Sequence, residues 1–423
     1  MESADAAPSL RQLLSPEVLA DPYPLYRRLR EESPVLFDPY LHVWVVTRYT
    51  DVVDVFNRFS AVRTPPPDRL RLLGMADLAP VAEVMVQQML FLDPPEHTAL
   101  RGLFTAAFTP RRVAALRDRI AGIADRLLDQ VADQDEMDVL ADYAAILPAV
   151  VTAEILGVPT SDHLMLKAWS ETFAEILGNF QHNPDRVHLL LDSLADMLAY
   201  FRDAVRAARS RTGGDGLVDA LVHGTPNSWL SDEQAVANLV LTMVGGQETT
   251  TNLIGNGVLT LMRHPGQFQQ LRADPTLYPA AVEELLRFES PSQHTARVAP
   301  QDLTIGDEVI RQGQAVIAVM GAANRDPAQF DRPDQLDLTR TNNRHLAFGW
   351  SAHFCFGAGL ARLEGELALR ALVQRFPGLE LSQEPVRWRA NLGLRGLEQL
   401  MVAPAGRTGR ATTGDANAVP VDG

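Results

Sequence analysis

Apolar residues recur every three to four positions through most of the chain. They predict helices over residues 23–32, 96–108, 111–130, 141–156 and 186–211. The longest helical pattern, residues 231–262, opens on Ser231 with Gln234 three positions on, the spacing of a capping box. A further helix is expected over 279–288. Residues 42–49 (HVWVVTRY) are β-branched and aromatic and predict a strand. Residues 64–68 (TPPPD) predict a loop, because proline inside a helix removes a donor and clashes with the preceding turn. After Pro291 the pattern changes. Residues 303–309 and 314–319 are β-like, with turns at Gly306-Asp307 and 311–313, and 324–343 is coil. A last long helix follows Gly357. The strands are too few and too late to alternate with the helices. The expected fold is mainly α with a minor β region, not a doubly wound sheet.

Charge narrows the function. The 423 residues carry 38 basic and 53 acidic side chains, a net −15, which argues against a nucleic-acid surface. The single cysteine, Cys355, excludes an internal disulfide and multi-cysteine zinc sites, and fits a reducing compartment. The N-terminus lacks a signal pattern. The most apolar stretch, 146–158, is interrupted by Thr152 and Glu154, so no membrane span is expected and the protein reads as cytoplasmic. Residues 1–20 and 404–423 read as tails, and no repeat or long linker divides 21–403.

The most informative segment is 348–364, FGWSAHFCFGAGLARLE. Cys355 sits between Phe354 and Phe356, with Gly349 before and Gly357 after. Glycines let backbone approach a flat ligand closely. Amides at a helix start favour thiolate over thiol, and an axial thiolate on haem iron favours O–O cleavage. An isolated cysteine is more often a small buried hydrophobe. The spacing decides otherwise: the segment resembles the haem-thiolate loop of the cytochrome P-450 monooxygenases, F-G-x-G-x-H-x-C-x-G. Phe348, Gly349, His353, Cys355 and Gly357 match, Ser351 replaces the second glycine, and Trp350 stands where bacterial members often have histidine. The resemblance implies that Cys355 is the iron ligand and that the other four contact the cofactor.

Three more segments follow the family's order. Glu284 and Arg287, at i,i+3, share a helix face and resemble the family's structural ion pair. Its usual third partner, Arg or His, would fall at Gln335. Gly245-Gly-Gln-Glu-Thr249 lies mid-way along the longest helix, where each interior glycine costs roughly 1 kcal/mol against alanine. Read alone, Glu248 is a solvated charge and Thr249 a bending residue. The stretch resembles the family's oxygen-binding groove, which implies that Glu248 and Thr249 relay protons. Asp93-Pro-Pro-Glu-His97 with Arg101 puts His97 and Arg101 at i,i+4. It resembles the propionate-binding D-P-P-x-H-x-x-x-R, and Arg297 and His353 match further propionate donors.

The resemblance covers about residues 20 to 403 and implies a single catalytic domain, 21–403. In it, haem b lies between the long distal helix and the proximal cysteine loop. It implies a monomer that inserts one oxygen atom from O2 into a hydrophobic or amphipathic small molecule, by hydroxylation or epoxidation, with natural-product tailoring as the expected setting. Electrons would come from ferredoxin and ferredoxin reductase, or a flavodoxin-type donor, since no G-x-G-x-x-G follows a strand. Arg111, Arg112 and Arg362 are candidates for the docking patch. Leu72, Leu73, Met75, Met85, Val86, Phe173, Leu177, Phe180 and Leu189 are candidate pocket residues, and Gln293 and His294 could orient a polar group. The alternatives are a haem-thiolate enzyme that uses peroxide or needs no redox partner, and a non-catalytic haem sensor or carrier. The Glu248–Thr249 pair argues against the first, and the lack of a visible output domain against the second.

Overall fold

Ser231 caps the longest helix as its spacing predicts. Its hydroxyl accepts from the Gln234 amide at 3.1 Å, and the Gln234 side-chain oxygen accepts from the Ser231 amide at 3.3 Å. The computed structural model describes residues 8–177, 184–210, 213–214, 216–223 and 230–404. In it the helix runs unbroken over Asp232–Arg263, 32 residues or about 48 Å, and stops before Pro265. It is buried almost all round and threads two hydrophobic cores. Val236 to Val244 belong to one, with Phe173 and Phe201; Leu253 to Leu261 belong to the other, with Tyr143 and Leu369. Gly245–Asn252 belongs to neither. The polar, glycine-bearing stretch therefore occupies the gap between the cores.

The helix Ala358–Arg375 crosses this helix and packs on Arg117–Val131 and Tyr278–Phe288. A four-stranded sheet lies to one side, in the order Val35–Asp38, Val43–Val46, Ala315–Ala318, Thr295–Val298. Val43–Val46 is parallel to Ala315–Ala318, and the other pairs are antiparallel. Alternation along Thr295–Val298 puts Thr295 and Arg297 on one face.

Several expectations need correction. Residues 9–20 are not a tail: Leu10–Leu14 and Pro16–Ala20 are helical turns, Leu10 and Leu13 are buried, and Ser9 Oγ donates to Asp38 at 2.7 Å. Of the C-terminal tail, residues 405–423 lie outside the described residues. The strand expected over 42–49 is only Val43–Val46. Tyr49 opens the helix Tyr49–Arg58, where its amide donates to Asp326 at 2.8 Å. The loop 64–68 ends early, because Pro67 takes the first position of helix Pro67–Leu72, where its missing N–H costs nothing. The helix expected over 111–130 divides into Pro110–Ala115 and Arg117–Val131. The apolar run Val139–Leu156 is long and apolar enough to span a membrane by composition. Two-thirds of it is buried inside the protein, as a π-helical turn followed by the helix Ile146–Leu156.

The Glu284–Arg287 pair is fully buried and bidentate, with both N–H···O distances 2.8 Å. Gln335 contributes only its carbonyl. The third partner is Arg340, whose Nε donates to Glu284 Oε2 at 3.1 Å, and Asn343 Nδ2 and the Asp337 amide also donate to Glu284. The network is complete through residues five and eight positions beyond the expected one. Glu284→Gln leaves two buried guanidinium groups short of a counter-charge. It should cost about 3–5 kcal/mol, read as a fall in the urea midpoint at constant slope; an unmoved midpoint would contradict this account.

Candidate active site

The cysteine loop folds on left-handed backbone at two positions. Gly349 has φ +71° and Ser351 has φ +60°. Glycine adopts this region freely, whereas serine pays roughly 1–2 kcal/mol. The serine departure thus keeps the backbone that a glycine would give. The Cys355 amide donates to Phe348 O at 2.9 Å, and the Phe354 amide to Ser351 O at 3.0 Å. The Cys355 sulfur accepts from the amides of Gly357 and Ala358 as the helix Ala358–Arg375 begins. Burial pushes the thiol up; these amides, Arg101 and Arg362 act the other way. Cys355 retains accessible surface. No protein atom explains glycine at 357: a Cβ there would meet only the Cys355 sulfur, at 3.8 Å. Phe348 is half-buried beneath the Arg362 guanidinium, 4.6 Å from its ring centroid.

His97 and His353 come together, their rings tilted with centroids 4.0 Å apart. Burial lowers both, His353 to about 3, with the charges of Arg297, Arg63 and Arg101 adding to the effect on His353. His97 Nδ1 and His353 Nε2 are buried without a hydrogen-bond partner. Arg297 is lowered to about 10 by burial, opposed by Asp93. Arg63, which the sequence reading missed, is lowered to about 9 by burial and by Arg297. Arg101 instead ties the Glu96–Thr105 helix to the cysteine loop, donating to Ala352 O at 2.8 Å and to Phe354 O. Asp93 is held by Ser60 Oγ and the Ala61 amide. Arg297 is buried and Arg63 and Arg101 are partly buried, so three guanidinium groups against one carboxylate leave a local surplus of two positive charges, costly in so far as water is excluded. A planar cofactor with two carboxylates, such as haem, fits this donor set.

On the long helix the two glycines differ. A Cβ at Gly246 would lie 3.1 Å from Thr152 Oγ1, a tight contact that favours glycine unless Thr152 shifts; at Gly245 a Cβ would meet nothing within 4 Å. The helix does not break. The Thr249 hydroxyl donates to Gly245 O at 2.8 Å. Glu248 is buried, not solvated. Burial raises its carboxyl, opposed chiefly by Arg389, whose Nη1 donates to it at 2.9 Å. Arg389 also reaches Glu171 at 3.4 Å, and Glu171 pairs with Lys167 at 2.7 Å. This chain links the buried carboxylate to half-exposed groups. Nothing in the local pattern of RWRAN singles out Arg389; only the tertiary fold brings it to Glu248.

The candidate pocket residues divide. Phe173 is fully buried in the core, Met75, Met85 and Leu177 pack partly buried beside it, and Leu72, Leu73, Val86 and Leu189 are exposed. Phe180 lies outside the described residues. Gln293 is buried and donates to Ser290 O at 2.7 Å, and burial lowers His294 to about 4. Arg362 is paired with Glu283 at 2.6 Å, while Arg111 and Arg112 are exposed.

A cysteine whose sulfur accepts helix-start amides, beside a surplus of buried and partly buried cations, is the donor set of a haem-thiolate site. The family model described as "Cytochrome P450" matches residues 74–392. The chain is 39% identical over 394 residues to the "Biotin biosynthesis cytochrome P450" of Bacillus subtilis (strain 168), covering 92% of this chain and 97% of that one. It is 38% identical over 395 residues to "Nocardicin C N-oxygenase" of Nocardia uniformis subsp. tsuyamanensis, covering 91% and 96%. The crystal structure of P450BioI in complex with a hexadec-9Z-enoic acid ligated acyl carrier protein superposes with a TM-score of 0.85, at 38% identity, over 92% of this chain and 99% of that one. The chain belongs to the cytochrome P-450 family of monooxygenases, whose cofactor is haem.

Proposed function

We propose that the chain inserts one oxygen atom from O2 into a small hydrophobic or amphipathic molecule, by hydroxylation or epoxidation, within one catalytic domain over 21–403 on which residues 9–20 pack. The observation that carries this reading is the Cys355 sulfur, accepting two helix-start amides beside a surplus of buried and partly buried cations. When bound, thiolate-ligated haem b supplies reductive activation of O2 and delivery of one oxygen atom to a C–H or C=C bond. Cys355 would hold the iron. Phe348, Gly349 and Gly357 would line the proximal side, and His97, Arg101, Arg297 and His353 the carboxylate end. Thr249 and Glu248 would supply and order the protons that the reaction consumes.

Electrons would come from ferredoxin and ferredoxin reductase, or a flavodoxin-type donor. Arg111 and Arg112 are exposed for docking, and Arg362 is the weaker candidate because Glu283 holds it. The relatives named for biotin biosynthesis and nocardicin oxygenation support a biosynthetic substrate. A monomer in the cytoplasm is the expected form. The test is a library titration of the purified protein, scoring the low- to high-spin shift and then product formation with a surrogate ferredoxin system. Binders should be apolar or amphipathic, with NAD(P)H-dependent product. Product formed only with peroxide would favour the partner-independent reading instead.

A further inference from the structure

Arg63 and Arg297 treat their guanidinium groups alike. Arg63 donates through Nη1 to Ala61 O and Leu90 O, both at 3.0 Å. Arg297 donates through Nη1 to Thr295 Oγ1 at 3.2 Å and Ala296 O at 2.8 Å. Each lies against an aromatic ring, Phe91 at 4.3 Å and Phe56 at 5.3 Å. In both, Nε and Nη2 have no protein acceptor among the described residues. The charge of Arg297 acts on Arg63, both act on His353, and among the described residues no carboxylate pairs with Arg63. Two like charges with free donor edges, Arg297 buried and Arg63 partly buried, are favoured together by an anion shared between them.

We propose that Arg63 binds the carboxylate end of the cofactor together with Arg297, and that it adds a positive charge there with a free donor edge, which Arg101 lacks because both its terminal nitrogens donate to the cysteine loop. This rests on the haem reading above. The Ser60–Thr64 segment thereby becomes part of the cofactor site, and the Asp93 carboxylate, held by Ser60 and Ala61, sets its position. A purely structural Arg63 would do no more than join the Ala61 and Leu90 carbonyls.

The two roles separate experimentally. In the full-length holoprotein, Arg63→Gln should release haem to apomyoglobin about 10- to 100-fold faster, the effect of losing one charge-assisted hydrogen bond. It should also lower the reduction potential, because removing a nearby positive charge favours the ferric state. Arg63→Lys should recover most of the potential and only part of the retention, since it keeps the charge and loses the fork. In wild type, reconstitution with haem dimethyl ester in place of haem should speed release; in Arg63→Gln the same exchange should matter less. Faster release with an unmoved potential, or an ester effect equal in the two proteins, overturns the proposal in favour of a structural tie. If Arg63→Gln does not fold, Arg63→Lys decides: a potential displaced as far as by a neutral residue at Arg297 rejects the charge role. Wild-type protein that binds no haem would instead refute the reading beneath it.

Discussion

In Cys355→Ala, the red-shifted Soret band of the reduced carbonyl complex is lost and product formation falls below detection. The reason lies in the local geometry. Among the described residues, no other thiol or metal-binding cluster is available to take over the ligand position. The alternative donors nearby, His97 and His353, are stacked on each other and surrounded by guanidinium groups. Cys355→Ser is the finer probe. It keeps side-chain size and can still accept from the Gly357 and Ala358 amides, yet oxygen is a weaker electron donor than thiolate. It should retain pigment and lose the band shift. Circular dichroism and the urea midpoint of both variants should stay near wild type, since the sulfur makes no core contact that a smaller atom would leave empty. A red-shifted carbonyl band persisting in Cys355→Ala would refute the assignment of the ligand.

The features legible in the sequence were those set by local periodicity or by contiguous spacing. The capping box, the long helix, the glycine-flanked cysteine and the Glu284–Arg287 pair each depend on residues close together in the chain. What could not be read depends on side chains brought together across the fold. Arg340 reaches Glu284 over 56 positions, Arg389 reaches Glu248 over 141, and the charge of Arg297 bears on Arg63 from far along the chain. In each case the local sequence is that of an ordinary surface arginine. The N-terminal turns escaped for a related reason. They are too short to show a period, and they are held by Asp38 and by apolar contacts to the sheet. Ser351 is a smaller case: it reads as a lost glycine, but its left-handed φ preserves the turn.

The proposed proton relay carries the second large effect. Thr249→Ala should uncouple the reaction, with NAD(P)H still consumed while product falls by about 10²-fold, the usual scale for losing a positioned proton donor. Glu248→Gln should fall similarly, because the amide keeps the shape of the carboxyl but cannot cycle a proton. The sign of the pH dependence follows from the environment. Burial raises the Glu248 carboxyl above the ordinary carboxylate range, and the Arg389 cation is the main influence lowering it. The proton-donating form exists below that titration point. Removing the cation in Arg389→Gln therefore moves the point upward and extends coupled turnover to higher pH, whereas Arg389→Lys should restore the wild-type limb. Arg389 acts here as a positioning residue: its ion pair holds the carboxylate toward Glu171 and Lys167, and release from that pair frees it to turn toward Thr249. The measurement is product formed per NAD(P)H consumed, followed against pH in the four variants. Unchanged coupling in Thr249→Ala would remove the hydroxyl from the relay. A limb that does not move in Arg389→Gln would show that the ion pair does not govern Glu248.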